Sequence, residues 1–105
     1  MGLRLYWTEF AQKELESIYD YYRKKAGARV SKRIIEGIYN ESLKLKSQAK
    51  IGQTEDFLIT REEKFRYLVF KNYKIIYWIN ENKNRVEIHD VFDTRQSPIK
   101  IQRNK

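Results

Sequence analysis

Three cations in the second half of the chain are the residues best suited to bind an anion. Arg66 and Lys74 lie in stretches with the two-residue alternation of strands, and Arg95 follows the last such stretch. Basic side chains that meet on one surface bind a phosphate backbone or an acidic peptide. If Arg66 and Lys74 project from a sheet face that no helix covers, we expect them to converge with Arg95 on one concave surface. The same spacing also fits an ordinary solvated sheet face, where long basic side chains lie over aromatic neighbours.

His89 is the only histidine and the natural candidate for proton transfer. A single histidine in a strand is also commonly a structural hydrogen-bonding group. We expect Asp93 to cap the turn that carries Arg95 or to pair with that side chain. The four glycines are scattered and the carboxylates alternate with lysines, so the sequence predicts neither a phosphate-binding loop nor a metal or cofactor site. Any catalysis by these residues would be metal-free.

The elements that must position these residues begin with a short strand and two helices. Residues 3–7 alternate as a short strand, and Thr8 follows as a predicted helix N-cap. Gly27 after three basic residues predicts the end of that helix, and a second helix is expected from about 28 to about 47. The short break predicts an antiparallel helical hairpin. Gly37, inside the second helix, suggests a close approach to the first helix, although a helix also tolerates a glycine that has no such role.

Strands follow the helices. Residues 65–70, 73–79 and 85–92 are rich in aromatic and β-branched side chains and are joined by short polar connections. Residues 48–64 have no period; within them, residues 52–55 are expected to form an exposed loop, with an apolar patch at residues 57–59 tucked beneath it. The predicted fold class is α+β with the order β-α-α-β-β-β, a helical hairpin packed on a mainly antiparallel four-stranded sheet. We expect one domain over residues 1–105.

Composition narrows the class of protein. The 105 residues include 22 basic and 14 acidic side chains and no cysteine, which excludes disulfides and thiolate sites. A hydrophobic share of 41% is too high for a disordered chain. The longest apolar run is too short for a membrane span and the N-terminus lacks a secretory signal, so we expect a cytoplasmic protein with no membrane partner. The net charge of +8 favours nucleic acid, a ribonucleoprotein or an acidic protein as partner.

Six stretches of the sequence, in this order, resemble the RelE/ParE superfamily of toxins from type II toxin–antitoxin modules. They are residues 6–11 (YWTEFA), 15–22 (LESIYDYY), 51–52 (IG), 65–69 (FRYLV), 72–77 (NYKIIY) and 91–98 (VFDTRQSP). The resemblance spans nearly the whole chain and implies the helical-hairpin fold derived above. It also implies a growth inhibitor, of the kind associated with plasmid stabilisation, that a cognate antitoxin neutralises.

The superfamily divides by target. RelE-like members cut messenger RNA on the ribosome without metal, using basic residues and a Tyr or His, whereas ParE-like members inhibit DNA gyrase. By resemblance Arg66, Lys74 and Arg95 match basic positions of the RNA-cleaving pattern. In a ribonuclease these cations would hold phosphates, and His89 or a Tyr would transfer protons. Leu68 stands where a second Lys is common, and Ile101 falls near the expected catalytic Tyr. These departures and the two long helices favour gyrase inhibition, with the ribosome-dependent endoribonuclease as the alternative.

A third class, a basic interaction domain without toxicity, also fits the composition. For a toxin, the positive charge predicts an acidic, partly disordered antitoxin segment that folds on contact. We expect part of that contact along the hairpin, around Tyr19, Tyr22 and Ile35. The same three side chains would equally suit the monomer's own core.

Overall fold

A computed structural model describes residues 2–103 and places two long helices against one sheet. The helices are α1 (Glu9–Ala26) and α2 (Ala28–Leu43). The strands are β1 (Arg4–Trp7), β2 (Gln53–Thr54), β3 (Arg66–Phe70), β4 (Tyr73–Asn80) and β5 (Arg85–Asp93). Short 3₁₀ helices cover Lys44–Lys46, Asp56–Leu58 and Pro98–Arg103. The predicted α+β class is confirmed.

The sheet has five strands in the order β1-β5-β4-β3-β2, so the expected number of four is wrong. The additional strand is β2, which pairs antiparallel with β3 through only two residues. Two residues are too few to show a period, and residues 48–64 therefore gave no strand signal. The sheet is mainly antiparallel, as predicted, with β1 parallel to β5.

Local signals in the sequence correctly predicted where the first helix begins and where the break between the helices lies. The Thr8 side chain accepts a hydrogen bond from the Ala11 N–H at 3.1 Å and caps α1. Gly27 alone links the helices, with a φ of 94° that a residue with a Cβ adopts only under strain. The second helix is shorter than expected, because the chain tightens into a 3₁₀ turn after Leu43.

Gly37 marks a close approach, but the suggested contact with the first helix is wrong. A Cβ at this position would lie 2.1 Å from Cζ of Phe70. Phe70 belongs to β3, so the missing side chain brings α2 against the sheet. The glycine therefore sets the distance between the helical layer and the strands.

The sheet carries hydrophobic side chains on both faces. Beneath the hairpin lies the larger core, which includes Ala11, Ile38, Leu68, Ile75 and Tyr77. A second cluster buries Leu58, Phe65, Ile76, Phe92 and Ile101. Its members come from the sheet and from two of the 3₁₀ helices, so these short segments partly cover the face that the helices leave free. No helix within residues 2–103 has both the length and the apolar character needed to cross a membrane.

Candidate functional site

Arg66 faces the helical side of the sheet. It lies two residues before Leu68 and opposite Tyr77, and both of these side chains belong to the core beneath the hairpin. Its guanidinium Nη1 donates to the backbone carbonyls of Gly52 at 3.0 Å and Lys50 at 3.3 Å. Arg66 is only partly exposed, and its hydrogen bonds hold the loop that leads into β2.

Lys74 faces the opposite side of the sheet and already has an anionic partner. Its ammonium lies 2.9 Å from Oε1 of Glu55 and 4.2 Å from the centre of the Tyr67 ring. Glu55 is 2% exposed, and its Oε2 accepts the Phe57 N–H at 3.1 Å. The expectation of an exposed loop at this glutamate is therefore wrong. The ion pair fixes the 3₁₀ segment against the sheet, a contact that the pattern of the loop did not indicate.

Arg95 is the most accessible of the three cations. It follows β5 and forms a bidentate ion pair with Asp93, with Nη2 to Oδ2 at 2.8 Å and Nε to Oδ1 at 3.0 Å. This hydrogen bonding by Arg95 lowers the pKa of the Asp93 carboxyl. The expected structural role of Asp93 is confirmed. Arg95 also lines a cavity of about 300 Å³ between α1 and the end of β5, together with Tyr21 and Tyr73.

The expected convergence of these cations is wrong. Arg66 and Lys74 lie on opposite faces, because Arg66 pairs with Tyr77 and Lys74 is three residues from Tyr77 on the same strand. Arg95 lies beyond the sheet, beside α1. Each cation has its own hydrogen-bond acceptors within the described residues. Their roles as binding or catalytic residues stay a prediction, but no single surface presents all three.

His89 lies on the face of the sheet away from the hairpin. The register between β4 and β5 shifts beside it, since Ile76 pairs with Asp90 and Tyr77 with Ile88. Its ring centre is 4.5 Å from that of Phe65. Burial lowers the pKa of the imidazole to about 4, and the positive charge of Arg61 adds to the effect. The side chain is therefore neutral at pH 7 and lines an open cavity of about 780 Å³.

The antitoxin contacts expected on the hairpin are only partly available. Tyr22 and Ile35 pack against the core beneath the helices, and the Tyr22 hydroxyl is 3.4 Å from that of Tyr73. Tyr19 is half-buried. The exposed apolar side chains of α2 are Tyr39 and Leu43, at 47% and 36%. Helical spacing did not identify these two as surface residues, because it does not distinguish the edge of an apolar stripe from its centre.

Among residues 2–103, no group of three His, Cys, Asp or Glu side chains is arranged to hold a metal ion. The buried carboxylate of Asp90 has a different partner. Both of its oxygens lie 2.9 Å from guanidinium nitrogens of Arg103, which also reaches Glu14 at 2.7 Å. Burial raises the pKa of Asp90 to about 6, although Arg103 acts in the opposite direction. This cluster ties the last 3₁₀ helix to the sheet and to α1.

Comparisons with known proteins identify the family and the fold. Residues 5–98 match the model of the ParE toxin of the type II toxin-antitoxin system parDE. A solved chain of the chromosomal ParDE TA system from P. aeruginosa superposes with a TM-score of 0.72 at 18% identity, covering 88% of this chain and 96% of that one. An arginine-to-alanine double mutant of E. coli toxin RelE in the free state gives 0.61 at 17% identity, covering 98% of each. No curated protein matches the sequence significantly.

Proposed function

Because the chain belongs to the ParE toxin family of type II toxin–antitoxin systems, we propose that it inhibits growth by binding DNA gyrase and that a cognate antitoxin neutralises it. The observation that carries the choice of target is the dispersal of Arg66, Lys74 and Arg95 over two sheet faces and a loop. Inhibition by binding spreads its free energy over a surface and needs no convergence of charge.

The same geometry argues against RNA cleavage. Metal-free cleavage needs cations that stabilise the phosphate and a group that transfers protons close to them. His89 is neutral at pH 7 because its pKa is about 4, so it can accept a proton but is not the imidazolium that acts as a general acid. Ile101 stands near the position of the tyrosine that the RelE-like pattern implies, and its side chain is fully buried. These two positions supply no general acid.

The test is induced expression of the protein, first alone and then with its antitoxin, while plasmid supercoiling and transcript integrity are followed. We expect growth arrest, loss of negative supercoiling and intact transcripts. Arg95→Ala should lose only part of the toxicity, since one exposed cation contributes modestly to a spread interface. Arg4→Ala, which removes an exposed arginine on β1, is the matched control.

Two outcomes would replace the proposal. Cleavage of ribosome-bound message that disappears in Arg95→Ala would identify a ribonuclease, because loss of one preorganised cation typically slows such a step about 100-fold to 1000-fold. Normal growth under strong expression of folded protein would indicate a basic interaction domain without toxicity.

For the antitoxin, the net charge of +8 supports an acidic segment that folds on contact with the hairpin. Tyr39 and Leu43 are one helical turn apart on α2 and exposed, so they extend the proposed contact beyond Tyr19, Tyr22 and Ile35. An amphipathic antitoxin helix would cover this apolar pair.

Titration with antitoxin tests this contact. We expect Tyr39→Ala to weaken binding at least about tenfold, whereas Tyr6→Ala, at a similarly exposed tyrosine on β1, leaves it within about threefold. The association rate should fall with salt. Equal losses in both variants, or a rate that salt does not change, would refute the assignment.

A further inference from the structure

The positive charge of the protein is concentrated at one end of the helical hairpin. Residues 21–35 contain six basic side chains and no acidic one, so this segment carries +6 of the net charge of +8 and the other 90 residues carry +2. These six side chains, here called the hairpin tip, are Arg23, Lys24, Lys25, Arg29, Lys32 and Arg33. All six are exposed.

Carboxylates form ion pairs with several cations elsewhere in the described chain, but with none at the hairpin tip. In the part of the chain that the structure describes, carboxylates pair with Lys13, Lys44, Lys74, Arg85, Arg95 and Arg103. No such pair includes a residue of the tip among residues 2–103. Lys25 donates to the Tyr21 hydroxyl at 3.0 Å, which neutralises no charge. Among the described residues, no carboxylate within ion-pair distance neutralises these six charges.

The two helices bring the side chains of the tip together at the turn of the hairpin. Gly27 is the only residue between α1 and α2, so the last turn of one helix lies beside the first turn of the other. Arg29, Lys32 and Arg33 follow the i, i+3, i+4 spacing of one helical face and line a shallow depression with Glu36. Ser31 is buried and donates to the Tyr19 carbonyl, which ties this turn to α1. The charges are thus held on a rigid scaffold.

We propose that the hairpin tip binds the phosphate backbone of duplex DNA. The start of α2, which carries Arg29, Lys32 and Arg33, is a helix about 10–12 Å across and fits the major groove of B-form DNA, which is about 12 Å wide. Exposed cations on such a helix reach the phosphates along the groove. The major groove of A-form RNA is too deep and narrow for such an approach. A protein partner would need an apolar anchor, yet Tyr21 is the only large exposed hydrophobic residue in 21–35 and Lys25 lies 5.2 Å from its ring centre.

The experiment is fluorescence anisotropy with a 20-bp duplex of random sequence, between 50 and 200 mM salt, with no gyrase present. It therefore tests this surface independently of the proposed function. Each phosphate contact contributes about 0.9 to the slope of log affinity against log salt. The triple variant Arg29→Gln, Lys32→Gln, Arg33→Gln should lower the slope by about 2.7 and weaken binding at 50 mM salt at least about tenfold.

The matched control is a second triple variant that removes three positive charges outside the tip. It combines Lys64→Gln, Lys83→Gln and Lys100→Gln, at three exposed lysines in separate segments. It should change the slope by less than about 1. Thermal unfolding by circular dichroism should show that the tip variant melts no lower than the parent protein, because it removes repulsion and no hydrogen bond. Equal slopes for the two triple variants would overturn the proposal. So would equal affinity for an RNA duplex, or displacement of the DNA by polyglutamate of equal charge.

Discussion

The ion pair between Lys74 and Glu55 leads to a prediction about stability. Lys74→Met keeps the length of the side chain but removes the only ammonium on the Glu55 carboxylate among the described ion pairs. The side chains of Lys74 and Glu55 are 19% and 1% exposed, so water reaches the lysine but not the carboxylate. The variant therefore leaves a buried charge with one remaining hydrogen bond, from the Phe57 N–H.

The expected loss follows from that burial. Breaking a buried pair by removing one partner costs about 3–5 kcal/mol. We therefore expect Lys74→Met to lower the free energy of unfolding by about 3 kcal/mol.

Urea unfolding at pH 7 measures this loss. The double variant Lys74→Met, Glu55→Gln should recover at least half of it, since the buried group is then a neutral amide. Lys71→Met is the matched control, at an exposed lysine on the adjacent turn, and should change stability by less than about 0.5 kcal/mol. A loss below about 1 kcal/mol with toxicity abolished would refute the reasoning and return Lys74 to a direct role at the target.

Three further predictions concern stability at other positions. Gly37→Ala should destabilise the protein by about 1–3 kcal/mol, because a Cβ would meet the Phe70 ring, and Phe70→Leu should relieve part of that loss in the double variant. Tyr77→Phe should cost about 1–3 kcal/mol by urea unfolding, because the buried hydroxyl donates to one loop carbonyl at 2.7 Å and accepts one loop N–H at 2.9 Å. Because the pKa of His89 is lowered to about 4, its contribution to stability is lost as pH falls from about 6.5 through 4. Because the pKa of Asp90 is raised to about 6, its contribution is lost as pH rises from about 4 through 6. We measure the free energy of unfolding from pH 4 to 7. In His89→Gln it should only fall as pH rises, which is the Asp90 effect, and in Asp90→Asn it should only rise as pH rises, which is the His89 effect. Identical profiles in the two variants would contradict both assignments.

The helices and strands were predictable because their signals are local. Each signal depends only on residues close together in the chain. Examples are the cap at Thr8, the break at Gly27 and the alternation along β3 and β4. The alternation also places Arg66 on the same side of its strand as Leu68, and Lys74 on the opposite side from Tyr77. The periodicity of the chain therefore determines the class of fold and the two sides of each strand.

Only the tertiary structure decided what covers each side. Which residues of β3 and β4 share a face depends on the register between the two strands. That register places Arg66 opposite Tyr77, so Arg66 and Lys74 lie on different faces of the sheet. Glu55 and Gly37 have partners on other elements, Lys74 and Phe70. No local pattern encodes such partners, because burial of a charge or loss of a Cβ is favourable only once distant segments have packed together. The sequence by itself determined the net charge and its concentration in residues 21–35, and the hairpin geometry then placed that charge on one exposed tip.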